Sequence, residues 1–389
     1  MSNIRLLWPI LVAVFLDMVG FGMIIPDIQL RAETMGANGL IIGAILASTF
    51  VIQTLTSQLW GRLSDRIGRK SVFVACTAIS ALSMLVYGLA PTLLFILGSR
   101  LLAGLGAANV AAAQASAAQD ADGLERADRL GKMSAVLSVG LIVGPALGGL
   151  VSHHLGSMAV GLIGAGLSFL GAATVLVFGK FTQGKYEPPA KKKFEIAPLL
   201  RDFPTLIPLV IVTIVAWFSL AMLEGTFGRL IKATLGLGSQ EFGFIFAFES
   251  VLGFIIQAFL FKSILKRIPS RWSLPLGYLF QGFGLAITPL APTFGLLFVA
   301  SGFYALGSSV AGPTLNSMCS EIVPEERQGE LFGLLQSARG IGFVVGPILG
   351  GQLFDFSPPM PYYFAGVVCA VSAAIIFVST RRHPQPTLT

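Results

Sequence analysis

Apolar runs recur along the whole chain, and short polar stretches separate them. A helix crossing a bilayer needs about 20 such residues. Twelve runs reach that length, at 6–27, 39–60, 71–90, 92–117, 129–151, 157–178, 206–230, 240–261, 272–290, 293–318, 331–352 and 361–380. The first carries Asp17 and continues to Pro26 without a small-residue cleavage site, so it reads as a retained helix rather than a signal peptide. The one sizeable interruption is 179–204, rich in lysine and proline, which reads as a linker. The pattern predicts an all-α integral membrane protein with twelve transmembrane helices in two pseudo-symmetric six-helix halves, 1–178 and 205–389.

A repeat supports the two halves. Gly140–Gly149 reads GLIVGPALGG and Gly342–Gly351 reads GFVVGPILGG, at an offset of 202 residues with seven of ten positions identical. Leu105 and Gly106 similarly match Leu306 and Gly307, and Leu63, Arg66 and Ile67 match Ile264, Arg267 and Ile268. Halves related in this way are a transporter architecture, with the substrate site expected near the midplane between them.

Composition excludes a soluble protein: 54% of the residues are hydrophobic and 12% charged, against roughly 25% charged in soluble domains. The net charge of +7 would suggest nucleic acid in a soluble chain. Here the spans place 21 of the 26 Lys and Arg residues on one side of the membrane, with Arg31, Arg229 and Lys232 opposite and Arg100 and Arg339 inside helices. That asymmetry is the positive-inside rule, so an even number of spans and two cytoplasmic termini are expected. Cys76, Cys319 and Cys369 are isolated from one another and imply neither disulfide nor metal site. His153 and His154 read as a solvated loop, and His383 as part of the tail.

Between the second and third runs lies the polar island Gly61–Lys70, GRLSDRIGRK. It resembles the loop between helices two and three of the major facilitator superfamily, the largest group of secondary transporters. From that resemblance Gly61, Asp65, Arg66, Gly68 and Arg69 are expected to form a conformational gate, with Arg339 completing it from span eleven. The glycines at 140, 144 and 148, and at 342, 346 and 350, give each helix a bare face at i, i+4, i+8, suited to close packing. Pro145 and Pro347 each remove a backbone donor, so Gly144, Pro145, Gly346 and Pro347 are expected to form hinges at the interface between halves. The span-five copy also resembles the superfamily motif associated with antiporters.

Asp17 lies midway along span one. A carboxylate at that depth costs about 2.5–3.5 kcal/mol on insertion scales, so it is expected to face a cavity or a partner. Its surroundings, LDMVGFGMIIP, resemble the first helix of the tetracycline exporters and related drug:proton antiporters. Arg100, in RLLAGLGAANV, resembles the helix-four arginine that serves proton coupling in the superfamily, although Ala103 stands where glutamine is common. Asp17 is its expected partner. In the second half Glu249 is the better buried acid of span eight. Glu224, in span seven, either binds a proton or cation or pairs with Arg229.

Asp17, Arg100, Glu249 and Glu224 are thus the expected proton-coupling residues. Asp17, Gln53, Asn109, Gln114, Trp217, Phe246 and Glu249 are the expected cavity residues. H-E-x-x-H and G-x-S-x-G do not occur, which argues against an enzyme. The resemblance implies a transporter of the cell inner membrane, monomeric and without cofactor, exporting lipophilic cationic molecules in exchange for protons by alternating access. An exporter or facilitator of sugars, amphipathic lipids or organic anions is the competing expectation.

Overall fold

The computed structural model describes residues 4–117, 123–179 and 196–382, and among them every regular element is a helix. In the first half α1 spans Ile4–Thr34, α2 Gly39–Ile67, α3 Arg69–Gly88, α4 Leu93–Gly106, α5 Asn109–Ala117 and α6 Gly123–Phe178. The short α7, Ile196–Asp202, precedes α8 at Leu206–Leu235, α9 at Ser239–Ile255 and α10 at Phe261–Arg267. Then follow α11 at Ser270–Ile287, α12 at Phe294–Ile322, α13 at Gln328–Phe356 and α14 at Met360–Arg382. Among the described residues ten stretches are long and apolar enough to cross a membrane. One of them, Asp128–Phe178, is 51 residues long and breaks at Gly156, which makes two crossings. With α11 at the place of the ninth span, the series is the twelve that hydropathy predicts.

Several boundaries differ from the hydropathy pattern. The Gly61–Lys70 island is not a loop: α2 continues to Ile67, α3 starts at Arg69, and Gly68, at φ 89°, is the sole residue between them. Polar side chains mark the end of the apolar layer, but they do not end a helix whose backbone bonds stay satisfied. His153 and His154 likewise lie within α6, where only Gly156, at φ 81°, leaves helical geometry. Both are exposed. Span four is instead interrupted, at Ala107–Ala108, between α4 and α5. In span eight a π-helical turn at Ile256–Leu260 separates α9 from α10.

Part of the expected linker is helical. Arg327, just before α13, donates to Asp202 of α7 at 2.7 Å and to Glu330 at 2.8 Å. Glu330 first, and then Asp202, push this guanidinium up from its ordinary value.

The chain forms two compact units. Unit 1 comprises Met1–Ala37, Ala44–Pro188 and Leu237–Ala247; unit 2 comprises Asn38–Gly43, Pro189–Gly236 and Phe248–Thr389. The boundary therefore cuts through α2 and α9, which the two sequence halves do not anticipate.

In unit 1, α1 is the central element. Leu7, Ile10, Val14, Val19, Met23 and Ile28 are buried against residues of α3 and α6 such as Phe73, Met84 and Val160. Small residues permit this closeness. A Cβ on Gly144 would stand 2.8 Å from the Gly22 Cα, and one on Gly140 2.7 Å from the Met18 Cβ. The glycine face of α6 thus packs on α1, within its own unit. The face of α13 repeats the arrangement on α8: a Cβ on Gly346 would stand 2.7 Å from the Phe218 carbonyl oxygen, and one on Gly342 2.7 Å from the Phe218 nitrogen. The same stretches also meet helices of the other sequence half: a Cβ on Gly243 of α9 would stand 2.4 Å from the Pro145 carbonyl oxygen, and one on Gly43 of α2 2.2 Å from that of Pro347. In a bilayer lipid is as apolar as leucine, so close packing of this kind is what binds helix to helix. Both helices keep helical geometry through Pro145 and Pro347.

Candidate functional site

Each unit holds a polar cluster at membrane depth. In unit 1, Asp17 is 2% exposed. The break after Ala108 makes Asn109 the first residue of α5 and turns its side chain toward α1. Its Nδ2 donates to Asp17 Oδ2 at 2.5 Å. Ser168 of α6 donates to Oδ1 at 2.7 Å, and Ser80 of α3 also hydrogen-bonds this carboxyl. Neutral donors from three helices therefore hold the group in a dry setting, where a carboxyl can gain or lose a proton without leaving its site.

Arg100 is not the partner of Asp17. Its guanidinium carbon lies 5.5 Å over the Tyr87 ring and its Nε donates to Ser99 at 3.3 Å, while its buried Nη2 meets no protein acceptor. Tyr87 leads to a second buried acid, Asp27, which sequence reasoning passed over because it ends the first apolar run. The Tyr87 hydroxyl donates to Asp27 Oδ2, and Ser152 and Ser157 donate to Oδ1 at 2.5 and 2.8 Å. The break at Gly156 lies between those two serines. Arg31, 4.7 Å over the same tyrosine ring, donates to the Tyr87 and Ala90 carbonyls at the end of α3.

In unit 2 the cluster forms on α8, α9, α12 and α13. Glu224 of α8 faces the charge of Arg339 from α13, and Glu249 of α9 is hydrogen-bonded by Ser301 of α12 within electrostatic reach of Glu224. The buried Tyr304 of α12 lies close to both acids. The Arg339 guanidinium carbon is 4.0 Å over the Trp217 ring and 5.4 Å over Phe343, and these two rings are 5.3 Å apart.

Arg339, expected at the gate, thus sits among the acids. Arg229 Nη2 meets Asp355 Oδ1 at 3.0 Å, and its guanidinium lies 4.2 Å over Phe354. Asp355 Oδ2 also accepts the backbone N–H of Gly39, the first residue of α2, at 2.7 Å.

The other expected residues are scattered. Gln53 is half-buried on α2, Gln114 is exposed on α5, and Phe246 is buried in an edge-to-face contact with Phe242 at 4.8 Å. Gly61 and Arg66 are exposed, and the side chain of Asp65 lies outside the described residues, as do His383 and Lys180–Lys193. Two of the island's other cations act on helix ends in unit 1. Arg69 donates to the Ala115 carbonyl at 2.6 Å, and Lys70 to those of Leu176 and Gly179 at 3.0 and 2.8 Å. Among the described residues no cluster of three or more His, Cys, Asp or Glu side chains could hold a metal ion.

Comparison with known proteins agrees with this architecture. The family model described as Major Facilitator Superfamily matches residues 10–223 and 209–389. Multidrug resistance protein 2 of Bacillus subtilis is 26% identical over 372 residues, covering 94% of this chain and 92% of that protein. Quinolone resistance protein NorA of Staphylococcus aureus is 23% identical over 380 residues, covering 96% of each. Among solved structures, the nucleoside transporter NupG superposes with a TM-score of 0.80 at 14% identity, covering 99% of this chain and 100% of that one. A bacterial homolog of the human lysosomal transporter Spinster gives 0.78 at 17% identity, covering 98% of each.

Proposed function

Because the chain belongs to the Major Facilitator Superfamily, and is therefore a multi-pass membrane transporter rather than an enzyme, we propose that it exports lipophilic cations in exchange for protons. The observation that carries this reading is a cation already seated in the unit 2 cluster, the Arg339 guanidinium 4.0 Å over the Trp217 ring and within electrostatic reach of Glu224, which is itself within reach of Glu249. Carboxylates next to aromatic faces attract organic cations. Relatives named for multidrug and quinolone resistance, aligned over nearly the full chain, support export of drug-like molecules.

Proton exchange is assigned to Asp17, with Glu249 and Glu224 as the acids for which substrate and proton compete. A carboxyl that must release its proton before it attracts a cation makes the two fluxes alternate without covalent chemistry. Alternating access between the two sides of the membrane completes the cycle, and no cofactor other than the proton is needed. The 21 cations on the side of Gly61–Lys70 favour cytoplasmic termini in a cell membrane. The protein acts as a monomer in this scheme.

The test is uptake of tetraphenylphosphonium into proteoliposomes with an acidic interior, at zero membrane potential, beside Asp17→Asn and Glu249→Gln. Gradient-driven uptake that Asp17→Asn abolishes is the expected result. Folded wild-type protein that takes up none overturns the reading and turns attention to sugars, lipids and anions.

A further inference from the structure

Resting on the export reading above, we infer that Arg339 is a built-in counter-cation: it occupies the seat a substrate cation takes, and its single charge tunes the site to monocations over dications. Trp217 and Glu224 are seven residues apart on α8, hence on one face and about 10 Å apart along the axis. Arg339 reaches that face from α13, laying its guanidinium over the Trp217 ring while Glu224 attracts its charge. An aromatic face and a carboxylate that one cation can engage together make an organic-cation site by their chemistry, and here the cation that engages both belongs to the protein.

The charges decide what this does. On α8, α9, α12 and α13 the carboxyl and guanidinium groups that meet in this cluster are Glu224, Glu249 and Arg339, with the neutral Tyr304 hydroxyl close to the acids. Arg229, Lys232, Glu241, Glu321, Glu330 and Asp355 all lie within two turns of an end. With both acids ionised, the site carries one net negative charge while Arg339 is present and two without it.

An incoming cation has to displace or share with Arg339, which holds back affinity. When the substrate leaves, Arg339 can return, so the acids are never stranded without a counter-charge. Coulomb attraction scales with ligand charge, so deleting one positive charge from the site favours a dication twice as strongly as a monocation. The same residue therefore acts against multiply charged molecules, a repulsive element of the kind specificity requires.

The experiment compares tetraphenylphosphonium with the bis-quaternary dication dequalinium in proteoliposomes of wild type, Arg339→Gln and Arg339→Lys. Arg339→Gln is expected to raise the ratio of dication to monocation apparent affinity on the order of tenfold, the scale of one unit charge about 10 Å away at an effective dielectric of about 20. Arg339→Lys keeps the charge and is expected to leave the ratio near wild type.

A second readout does not depend on the folding of Arg339→Gln. With Trp8, Trp60 and Trp272 replaced by Phe, Trp217 is the remaining tryptophan, and saturating tetraphenylphosphonium should shift its emission as the guanidinium leaves the ring. Transport of the monocation with an unchanged ratio in Arg339→Gln, or without any emission change at Trp217, overturns the counter-cation role and leaves the export reading standing. Wild-type protein that moves neither cation overturns both.

Discussion

Asn109 donates a 2.5 Å hydrogen bond to Asp17 at the place where the fourth span breaks. The break and the bond belong together, because Asn109 is the first residue of α5 and its Oδ1 also accepts the N–H of Val110. Replacing it with leucine keeps the volume and removes the donor. Asn109→Leu should cost about 1–3 kcal/mol, the range for leaving a buried polar group without its partner. The loss should appear in thermal unfolding in detergent and as slower gradient-driven uptake. Wild-type values in both would mean that Ser168 and Ser80 suffice for Asp17.

Asp27 presents a sharper case, since Tyr87, Ser152 and Ser157 all donate to it. Asp27→Leu strands the buried Tyr87 hydroxyl, at about 1–3 kcal/mol, and the two half-buried serine hydroxyls at less each, and puts leucine into the polar cluster. The expected result is a protein too unstable to purify in quantity. Asp27→Asn keeps an acceptor oxygen and should fold, with a smaller drop in melting temperature. Equal stability of the two variants would show that those hydroxyls find other acceptors.

These two acids illustrate what the sequence made legible. The apolar runs, the repeated glycine faces and the depth of Asp17 were readable because they depend on local spacing. Asp27 was not, because its donors are 60, 125 and 130 residues away and its meaning depends on α1 packing against α3 and α6. The pairing of Arg100 with Asp17 failed for a related reason: the nearness of two helices does not fix which turn faces which, and the ring of Tyr87 took the arginine. Arg339 was drawn toward the gate by family resemblance, although it and Glu224 are the charges that meet on facing helices. Hydropathy also placed the end of α2 too early, since it reports where lipid ends and not where backbone bonding ends.

The glycine faces can be tested by size alone. Gly144→Val and Gly346→Val place methyl groups where the backbone of α1 or α8 already stands. Helix pairs so close cannot absorb them without moving apart. Each variant should lose about 1–3 kcal/mol, the usual cost of overpacking, or more where backbone must shift. Gly166→Val, at a position with nothing within 4 Å of an added Cβ, is the control and should be neutral in the same unfolding assay.

Arg69 and Lys70 place positive charge on the last carbonyls of α5 and α6. Carbonyls at a helix C-terminus favour cations by about 0.3–1 kcal/mol at exposed positions. Arg69→Met and Lys70→Met should each destabilise by that modest amount, and the loss should shrink in high salt because exposed charges are screened. A large loss of transport with so small a loss of stability would assign these residues a gating role beyond capping.

Asp355 offers one carboxylate oxygen to Arg229 and the other to the Gly39 N–H, so a single side chain joins α8 and α13 to the start of α2 within unit 2. The Arg229 side chain is 8% exposed and that of Asp355 34%. The pair is therefore neither a surface bridge worth about 0–1 kcal/mol nor a fully dry one costing about 3–5 kcal/mol to break. Asp355→Asn should fall between these limits: the amide oxygen can still accept from Gly39, but it cannot neutralise Arg229. Arg229→Met with Asp355 intact should cost less, because the freed carboxylate keeps its helix N-terminus and its access to water. Combining Arg229→Met with Asp355→Asn removes both charges and should recover most of the stability lost in Asp355→Asn alone. A double variant no more stable than Asp355→Asn would show that the cost lies in the contact with α2, and that the ion pair itself contributes little.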